Sequence, residues 1–440
     1  MKIRRWTSFQ IIICGFALVI FTGSILLMLP VSTKESGGAP FLDAVFTATS
    51  AVCVTGLVVH DTAAYWSSFG QAVILGLIQV GGMGVVTIAV AVAMVSGRKI
   101  GLMQRSTMQE AIAAPHVGGI VRLTEFILKA TFLIEILGAL IMFPVFFKEF
   151  GLGKGIWYSV FHSISAFCNA GFDLMGIRAP LSSLTGFSGN PVINITIMLL
   201  IITGGIGFLT WSDIRTRRLH FREYRLQSKV ILSMTVLLII IPAVYFYFGE
   251  FGELPQKERI LQSLFQSVTP RTAGFNTADL TALSETGVAV IILLMMIGGS
   301  PGSTAGGMKT TTIAVLAASA SAVFRRRGDA QMFGRRFPAD TIRYAAAIFM
   351  IYLILFLTGG MVISKVEGIP ILTSLFETAS AIGTVGLSLG ITAQLGTLSR
   401  WILIFLMFFG RVGGLTLIFA AVSGTKIHGS RYPQEKITVG

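Results

Sequence analysis

Apolar runs recur along this chain at lengths that few soluble folds can bury. They lie roughly at 11–30, 70–96, 123–147, 191–211, 229–249, 286–298 with 310–324, 343–364 and 399–423. One crossing of a bilayer takes about 20 apolar helical residues. Eight spans result if the glycine-broken stretch 286–324 counts once. Lipid offers backbone groups no hydrogen-bond partner, so spans of this kind must be helical. Composition agrees: only 12% of the 440 residues are charged, against about 25% in a soluble domain. The first run, Ile11–Leu29, is too long for a signal h-region and no small-residue cleavage site follows, so a retained span is expected.

The formal charge of +14 would suggest a nucleic-acid partner in a soluble chain. Its placement argues for topology instead. Basic residues crowd the N-terminus (Lys2, Arg4, Arg5) and the segments after spans two, four, six and eight. These segments hold Arg98, Lys99, Arg105 and Arg122, then Arg215 to Lys229, Arg325 to Arg343, and Lys426, Arg431 and Lys436. The alternate connections carry far fewer. By the positive-inside rule both termini are cytoplasmic. Cys14, Cys53 and Cys168 have neither zinc-site nor redox-pair spacing.

The outer connections hold short semi-apolar segments: Phe41–Gly56, Ile156–Gly171, Ile260–Gly274 and Ile371–Gly386. They are too short to span and too apolar for free loops, so they read as re-entrant half-helices. They also match one another. Each has a Phe (Phe46, Phe161, Phe265, Phe376), a hydroxyl four residues on (Ser50, Ser165, Thr269, Ser380), and then a Gly (Gly56, Gly171, Gly274, Gly386). The fold expected is therefore all-α and integral to the membrane. It has four pseudo-repeats of helix, pore half-helix and helix around a central pore, with eight spans and four re-entrant P-loops. The repeats divide as 1–98, 99–218, 219–328 (with a broken gate helix) and 329–440 (with the C-terminal tail).

Four such loops meeting on one axis would present carbonyl oxygens able to replace the hydration shell of a monovalent cation. Glycine permits the positive φ that turns successive carbonyls inward. The C-terminal, negative ends of the half-helices also favour a cation.

These loops read Val54-Thr55-Gly56-Leu57, Asn169-Ala170-Gly171-Phe172, Thr272-Ala273-Gly274-Phe275 and Thr384-Val385-Gly386-Leu387, with Thr269-Pro270-Arg271 ahead of the third. With them the chain resembles the Trk/Ktr/HKT superfamily of K⁺ transporters over nearly its whole length. Within that superfamily it is most similar to bacterial Ktr membrane subunits (KtrB and KtrD type), since it begins directly with the first repeat's span. The resemblance implies K⁺ uptake through a selectivity filter made of Cys53, Val54, Thr55, Gly56; Cys168, Asn169, Ala170, Gly171; Arg271, Thr272, Ala273, Gly274; and Gly383, Thr384, Val385, Gly386. In the family, Gly at all four ring positions goes with K⁺. One well-formed ion site is expected, at the four glycines. The resemblance further implies a homodimer on a cytosolic ring of nucleotide-binding (RCK-type) regulatory subunits, with Na⁺ stimulating some members. Segments 215–229 and 325–343 are candidate docking surfaces.

The third repeat holds Gly298, Gly299, Ser300, Pro301, Gly302, Ser303, Thr304, Ala305, Gly306, Gly307, Met308 and Lys309 inside an apolar span. No straight helix has that composition. The resemblance implies a flexible gate loop below the filter; a static kink is the plainer reading. Arg411 and Lys309 are ionisable groups at membrane depth. The family role of a basic residue obstructing the cavity falls to Arg411 and more weakly to Lys309, a structural ion pair being the rival for each. Glycine clusters at 81–84, 204–207, 298–299 and 410–414 read as helix packing behind the filter. Asp61, Asp173 and Asp279 follow filter glycines and are either vestibule acids or turn caps. Arg271 is expected to turn behind the filter and hydrogen-bond either carbonyls there or Glu377.

Enzyme chemistry is poorly supported. Gly298-Gly299-Ser300-Pro301-Gly302 matches the nucleophile-elbow pattern formally, which makes an intramembrane serine hydrolase the remote rival. That pattern needs a preceding strand and a His partner, and of the five histidines only His162 lies in a membrane segment, on a half-helix from the outer side. Gly302–Thr310 misses the P-loop by one residue. A Na⁺-translocating or weakly selective pathway is the rival within transport, because filter sequence alone does not set K⁺/Na⁺ preference.

Overall fold

The computed structural model describes residues 7–35, 37–96, 100–112, 118–218, 220–414, 416–417 and 435. Much of the basic termini, together with Arg98, Lys99 and the end of the 399–423 run, lies outside these. The described chain is helical, apart from a small hairpin of β1 (Gln331–Met332) and β2 (Arg335–Arg336).

The first segment comprises α1 (Ser8–Met28), α2 (Phe41–Val52), the short α3 (Thr62–Tyr65), α4 (Ser68–Met83) and α5 (Val85–Val95). After α6 (Leu102–Ile112), α7 covers Ile120–Phe167, followed by α8 (Pro191–Gly205) and α9 (Phe208–Arg217). The third segment has α10 (Leu226–Gly249), α11 (Gln256–Val268), α12 (Glu285–Met296) and α13 (Thr310–Phe324). The fourth has α14 (Ala339–Glu367), α15 (Ile371–Gly383) and α16 (Thr397–Val412).

Helices α1, α7, α10 and α14 are long and apolar enough to cross a membrane, and the bent pairs α4–α5 and α8–α9 also qualify when each is taken together. Large apolar side chains lie bare on the outer helices, among them Phe21, Leu140, Ile241 and Ile354. Such a surface suits lipid rather than water.

Proline opens three of the short helices: Pro40, Pro255 and Pro370 stand at their N-caps. A fixed φ near −65° with no N–H to satisfy suits that position. The short helix that closes α7 has glycine ahead of it instead. Gly151 takes φ 77°, ψ −178° inside α7, so the expected separate span and half-helix form one helical run folded at that residue.

The runs at 70–96 and 191–211 are not straight spans, contrary to the sequence reading. Each bends by 95°, at Gly84 (φ 85°) and Gly207 (φ 90°), and α16 likewise ends on Gly413 (φ 90°). Hydropathy does not register a bend, because the residues on both sides of each glycine, Met83 and Val85 or Ile206 and Phe208, are apolar.

Polar staples hold the segments in register. Glu250, just past α10, accepts hydrogen bonds from the Ser284 backbone N–H (3.0 Å) and hydroxyl (2.6 Å) at the start of α12. Glu367, at the end of α14, accepts from Gly396 N–H (2.9 Å) beside α16. A carboxylate at a helix N-terminus satisfies orphan donors and opposes the helix dipole.

Candidate functional site

Each short helix ends in a loop whose backbone turns left-handed twice. Val54, Asn169, Thr272 and Thr384 have φ of 50°, 59°, 69° and 51°; two residues later Gly56, Gly171, Gly274 and Gly386 have 91°, 69°, 78° and 94°. A non-glycine residue pays roughly 1–2 kcal/mol for this region, so the surroundings must hold it.

They do so through buried anchors. Phe46, Phe161, Phe265 and Phe376 are all fully buried. The matched hydroxyls, legible in the sequence only as repeat markers, bond the loops directly. Ser50 and Ser380 accept from the Gly56 and Gly386 N–H groups (3.1 and 2.9 Å). Ser165 and Thr269 donate to the Phe172 and Phe275 carbonyls (2.7 and 2.6 Å).

The four glycines close on one another in chain order. A Cβ on Gly56 would sit 3.0 Å from Gly171 Cα; on Gly171, 2.9 Å from Gly274 Cα; on Gly274, 3.2 Å from Gly386 Cα; on Gly386, 2.9 Å from Gly56 Cα. The same Cβ atoms would strike the carbonyl oxygens of Ala170, Ala273, Val385 and Thr55 in turn. The result is a closed ring of glycines with four backbone oxygens beside it.

On one side the ring floors a cavity of about 110 Å³, which all four glycines line together with Asp61, Asp173, Asn276, Ser388 and Thr392. Asp61 is a cap as well as a wall residue: it accepts from Ala63 and Ala64 N–H groups (2.9 and 2.8 Å) and from Leu181 N–H (2.8 Å). Burial pushes the Asp173 carboxyl up to about 6; the Met175 N–H and Ser183 hydroxyl pull it down, and the Asp61 charge adds to the rise. Asp279 is not a wall residue. It caps the next turn through Thr281 N–H (2.9 Å).

Across the ring, Gly298–Lys309 forms an irregular loop packed under the fourth ring loop. A Cβ on Gly307 would lie 2.7 Å from the Gly383 carbonyl, and one on Gly306 would strike the Thr384 side chain. Backbone bonds fasten it: Ser300 N–H to Gly205 O (3.0 Å), Thr304 N–H to Gly204 O (3.2 Å), Gly307 N–H to Gly410 O (3.0 Å) and Phe208 N–H to Gly302 O (2.7 Å). The Thr304 hydroxyl donates to Phe167 O (3.1 Å), and Asn169 Oδ1 lies 3.3 Å away. The glycine clusters therefore do more than pack, since several of their carbonyls hold this loop. They do pack too: a Cβ on Gly81, Gly204 or Gly410 would run into the last carbonyls of a short helix, at Val52, Phe167 and Ile382.

Arg411 joins the loop to α4. Its guanidinium donates to Thr304 O and to Gly81 O and Gly82 O, the last at 3.2 Å. Lys309 Nζ donates to Ala305 O (2.8 Å) and Gly306 O (3.3 Å). Neither cation has a carboxylate partner among the described residues, so the ion-pair rival fails there. Both line a second cavity of about 360 Å³, which shares no wall residue with the first.

Arg271 and Glu377 are not paired. Arg271 does turn behind the ring, but its Nη2 donates to Thr235 of α10 (3.2 Å). Glu377 is occupied by Ser388, Leu389 and Thr392. Ser300 has a hydroxyl neighbour, Thr310 (3.4 Å), and His162 is engaged with Tyr158 O and Leu174 N–H, so the two do not form a hydrolase couple.

A family model described as TrkH, cation transport protein, matches residues 1–428. The chain belongs to the TrkH cation transport family. It is 39% identical to the potassium/sodium uptake protein NtpJ of Enterococcus hirae, over 99% of this chain and 98% of that one. Against the Ktr system potassium uptake protein B of Bacillus subtilis it is 38% identical, over 100% and 99%. The crystal structure of the potassium transporter TrkH from Vibrio parahaemolyticus superposes with a TM-score of 0.74 at 20% identity, covering 95% of this chain and 85% of that one. At that identity the likeness speaks for the fold. The TrkH family assignment and the apolar helices make this a multi-pass membrane protein. Its relatives and fold are those of transporters, not of an enzyme.

Proposed function

We propose that this chain is the pore subunit of a Ktr-type system that takes K⁺ into the cytoplasm. The observation that carries the reading is the closed ring of Gly56, Gly171, Gly274 and Gly386 with its adjoining carbonyl oxygens. The first cavity is the outer vestibule, where Asp61 and Asp173 concentrate cations. Ions shed water at the ring, whose oxygens stand in for hydration. The membrane potential drives entry, at about 2.3 kcal/mol per charge per 100 mV.

Cys53–Gly56, Cys168–Gly171, Arg271–Gly274 and Gly383–Gly386 are the filter. Gly298–Lys309 with Arg411 is the gate, drawn closed: loop and guanidinium stand between ring and lower cavity, and a cation must displace them. In this reading the chain makes eight spans in four repeats divided near 98, 218 and 328, with both termini cytoplasmic. Two copies associate and rest on an RCK-type nucleotide-binding ring. The exposed arginines Arg222, Arg325, Arg326, Arg327, Arg335 and Arg336 suit the docking surface. The names of the two relatives, one from a Ktr system and one for potassium/sodium uptake, support the substrate class and leave Na⁺ stimulation to be measured.

The deciding experiment is Rb⁺ uptake into proteoliposomes under an imposed inside-negative potential, with Na⁺ as competitor. Potential-driven, saturable uptake that excess Na⁺ does not block is expected. Equal passage of Rb⁺ and Na⁺ would replace this reading with the weakly selective one.

A pH dependence follows from Asp173. Its carboxyl is neutral below about pH 6 and charged above it. The vestibule therefore loses one negative charge as the outside acidifies. Uptake at limiting Rb⁺ is expected to fall severalfold between pH 7 and 5, half of the change lying near pH 6. Asp173→Asn should give low uptake at both ends with a flat profile between; a wild-type profile in that variant would rule the residue out.

A further inference from the structure

Each ring loop is tied back to its own short helix by a side chain, and the four ties are chemically unlike. Three start one residue after the buried Phe. His162 donates from Nδ1 to Tyr158 O (2.7 Å), which leaves Nε2 to accept from Leu174 N–H (3.3 Å). Gln266 Nε2 donates to Asn276 Oδ1 (3.1 Å). Glu377 accepts from Ser388 Oγ (2.5 Å) and Leu389 N–H (3.2 Å) on Oε1, and from Thr392 Oγ1 (2.8 Å) on Oε2. The first copy has Thr47 at that place. There Asp43, one turn earlier, makes the tie instead, meeting His60 Nε2 and Arg400 Nη1, each at 2.7 Å.

Glu377 stands apart in this set. It is fully buried, and no cation pairs with it among the described residues. Three donor groups converge on its carboxyl, and the backbone N–H among them can only donate. Hydrogen bonds to a carboxylate are shorter and stronger than neutral ones, so this tie, like that of Asp43, holds its loop more firmly than the neutral His162 and Gln266 ties do. The residues it grips matter: Ser388 and Thr392 line the outer vestibule together with Gly386. Leu387, between Gly386 and Ser388, is buried at 1% exposure. The turn just past Gly386 is thus pinned from behind by one carboxylate and from inside by an apolar side chain.

We infer that Glu377 is a specificity-determining positioning residue, which holds the fourth quarter of the glycine ring at the spacing a dehydrated K⁺ requires. It touches no ion and acts through Ser388, Leu389 and Thr392. The inference rests on the uptake reading above. Discrimination between ions that differ only in radius depends on where the ligating oxygens are held, so loosening this tie changes selectivity before it changes assembly.

The test compares wild type with Glu377→Ala, Glu377→Gln and the double variant Ser388→Ala/Thr392→Val, as purified full-length protein in vesicles. Rb⁺ and Na⁺ uptake are measured separately under the same imposed potential, with size-exclusion profile and melting temperature recorded for each. The Rb⁺/Na⁺ ratio is expected to fall at least tenfold in Glu377→Ala and in the double variant. Glu377→Gln should fall between them and wild type, since its amide oxygen still accepts two of the three donors. Should Glu377→Ala fail to assemble, Glu377→Gln and the double variant decide. Folded variants whose ratio stays within twofold of a selective wild type overturn this inference alone. Wild-type vesicles that pass no Rb⁺ overturn the uptake reading, and this inference with it.

Discussion

Serine at Gly386 is expected to lower Rb⁺ uptake about 100-fold or more while the protein still reaches the membrane. The backbone there has φ 94°, and a new Cβ would strike the Thr55 carbonyl and lie 2.9 Å from Gly56 Cα. The dihedral strain alone is roughly 1–2 kcal/mol. The collision is worse, because both atoms belong to the backbone of the neighbouring loop and cannot turn aside as a side chain would. Relief requires the first and fourth loops to separate, which moves the ring oxygens away from any ion between them. Gly368→Ser is the matching control. Gly368 has φ 68° with nothing within 4 Å of a Cβ, so it carries comparable strain far from the ring. That variant should lose some thermal stability and keep its flux. Equal flux loss in both variants would mean that strain, not ring closure, is responsible.

The second large effect is expected at Arg411, in the opposite direction. Arg411→Ala removes donors to Thr304, Gly81 and Gly82, which tie the loop Gly298–Lys309, the proposed gate, to α4. Hydrogen bonds from a charged donor contribute about 1.5–3 kcal/mol each, although solvation of the freed carbonyls in the lower cavity offsets part of this. A net bias of about 2–3 kcal/mol toward the closed loop corresponds to a shift of roughly 30- to 150-fold in the open population. Rb⁺ uptake by the subunit alone, without a cytosolic partner, should therefore rise at least tenfold. It should also keep its Rb⁺/Na⁺ ratio, since the ring is untouched. Arg411→Lys retains the charge but cannot reach three carbonyls from one fork, so it should lie nearer to Ala than to wild type. Unchanged uptake in Arg411→Ala would remove the residue from the gate.

Much of this architecture is legible in the order of residues. The four short helices and their loops declare themselves by length, and the shared Phe, hydroxyl and Gly spacing marks out the buried anchors, the loop ties and the ring glycines. The composition of Gly298–Lys309 excludes a straight helix there, and the loop is irregular as expected. The bends at Gly84 and Gly207 are not legible, because an apolar run reads the same whether it is straight or folded. The partner of Arg271 is not legible either, because opposite charge is the only guide and it points wrongly to Glu377. In the folded chain Glu377 is already satisfied by hydroxyls, and Arg271 lies against Thr235.

Sequence alone determined the class of molecule: a lipid-embedded helical chain with four like turns able to offer peptide oxygens. Hydropathy and local spacing carry that information, since each is a property of contiguous residues. Tertiary structure decided which turn abuts which, that the ring closes in chain order, and what Arg411 and Glu377 hold. Those facts depend mostly on backbone carbonyls and N–H groups, which every residue possesses alike. Only the meeting of segments as distant as Gly81 and Arg411 selects which of them become partners.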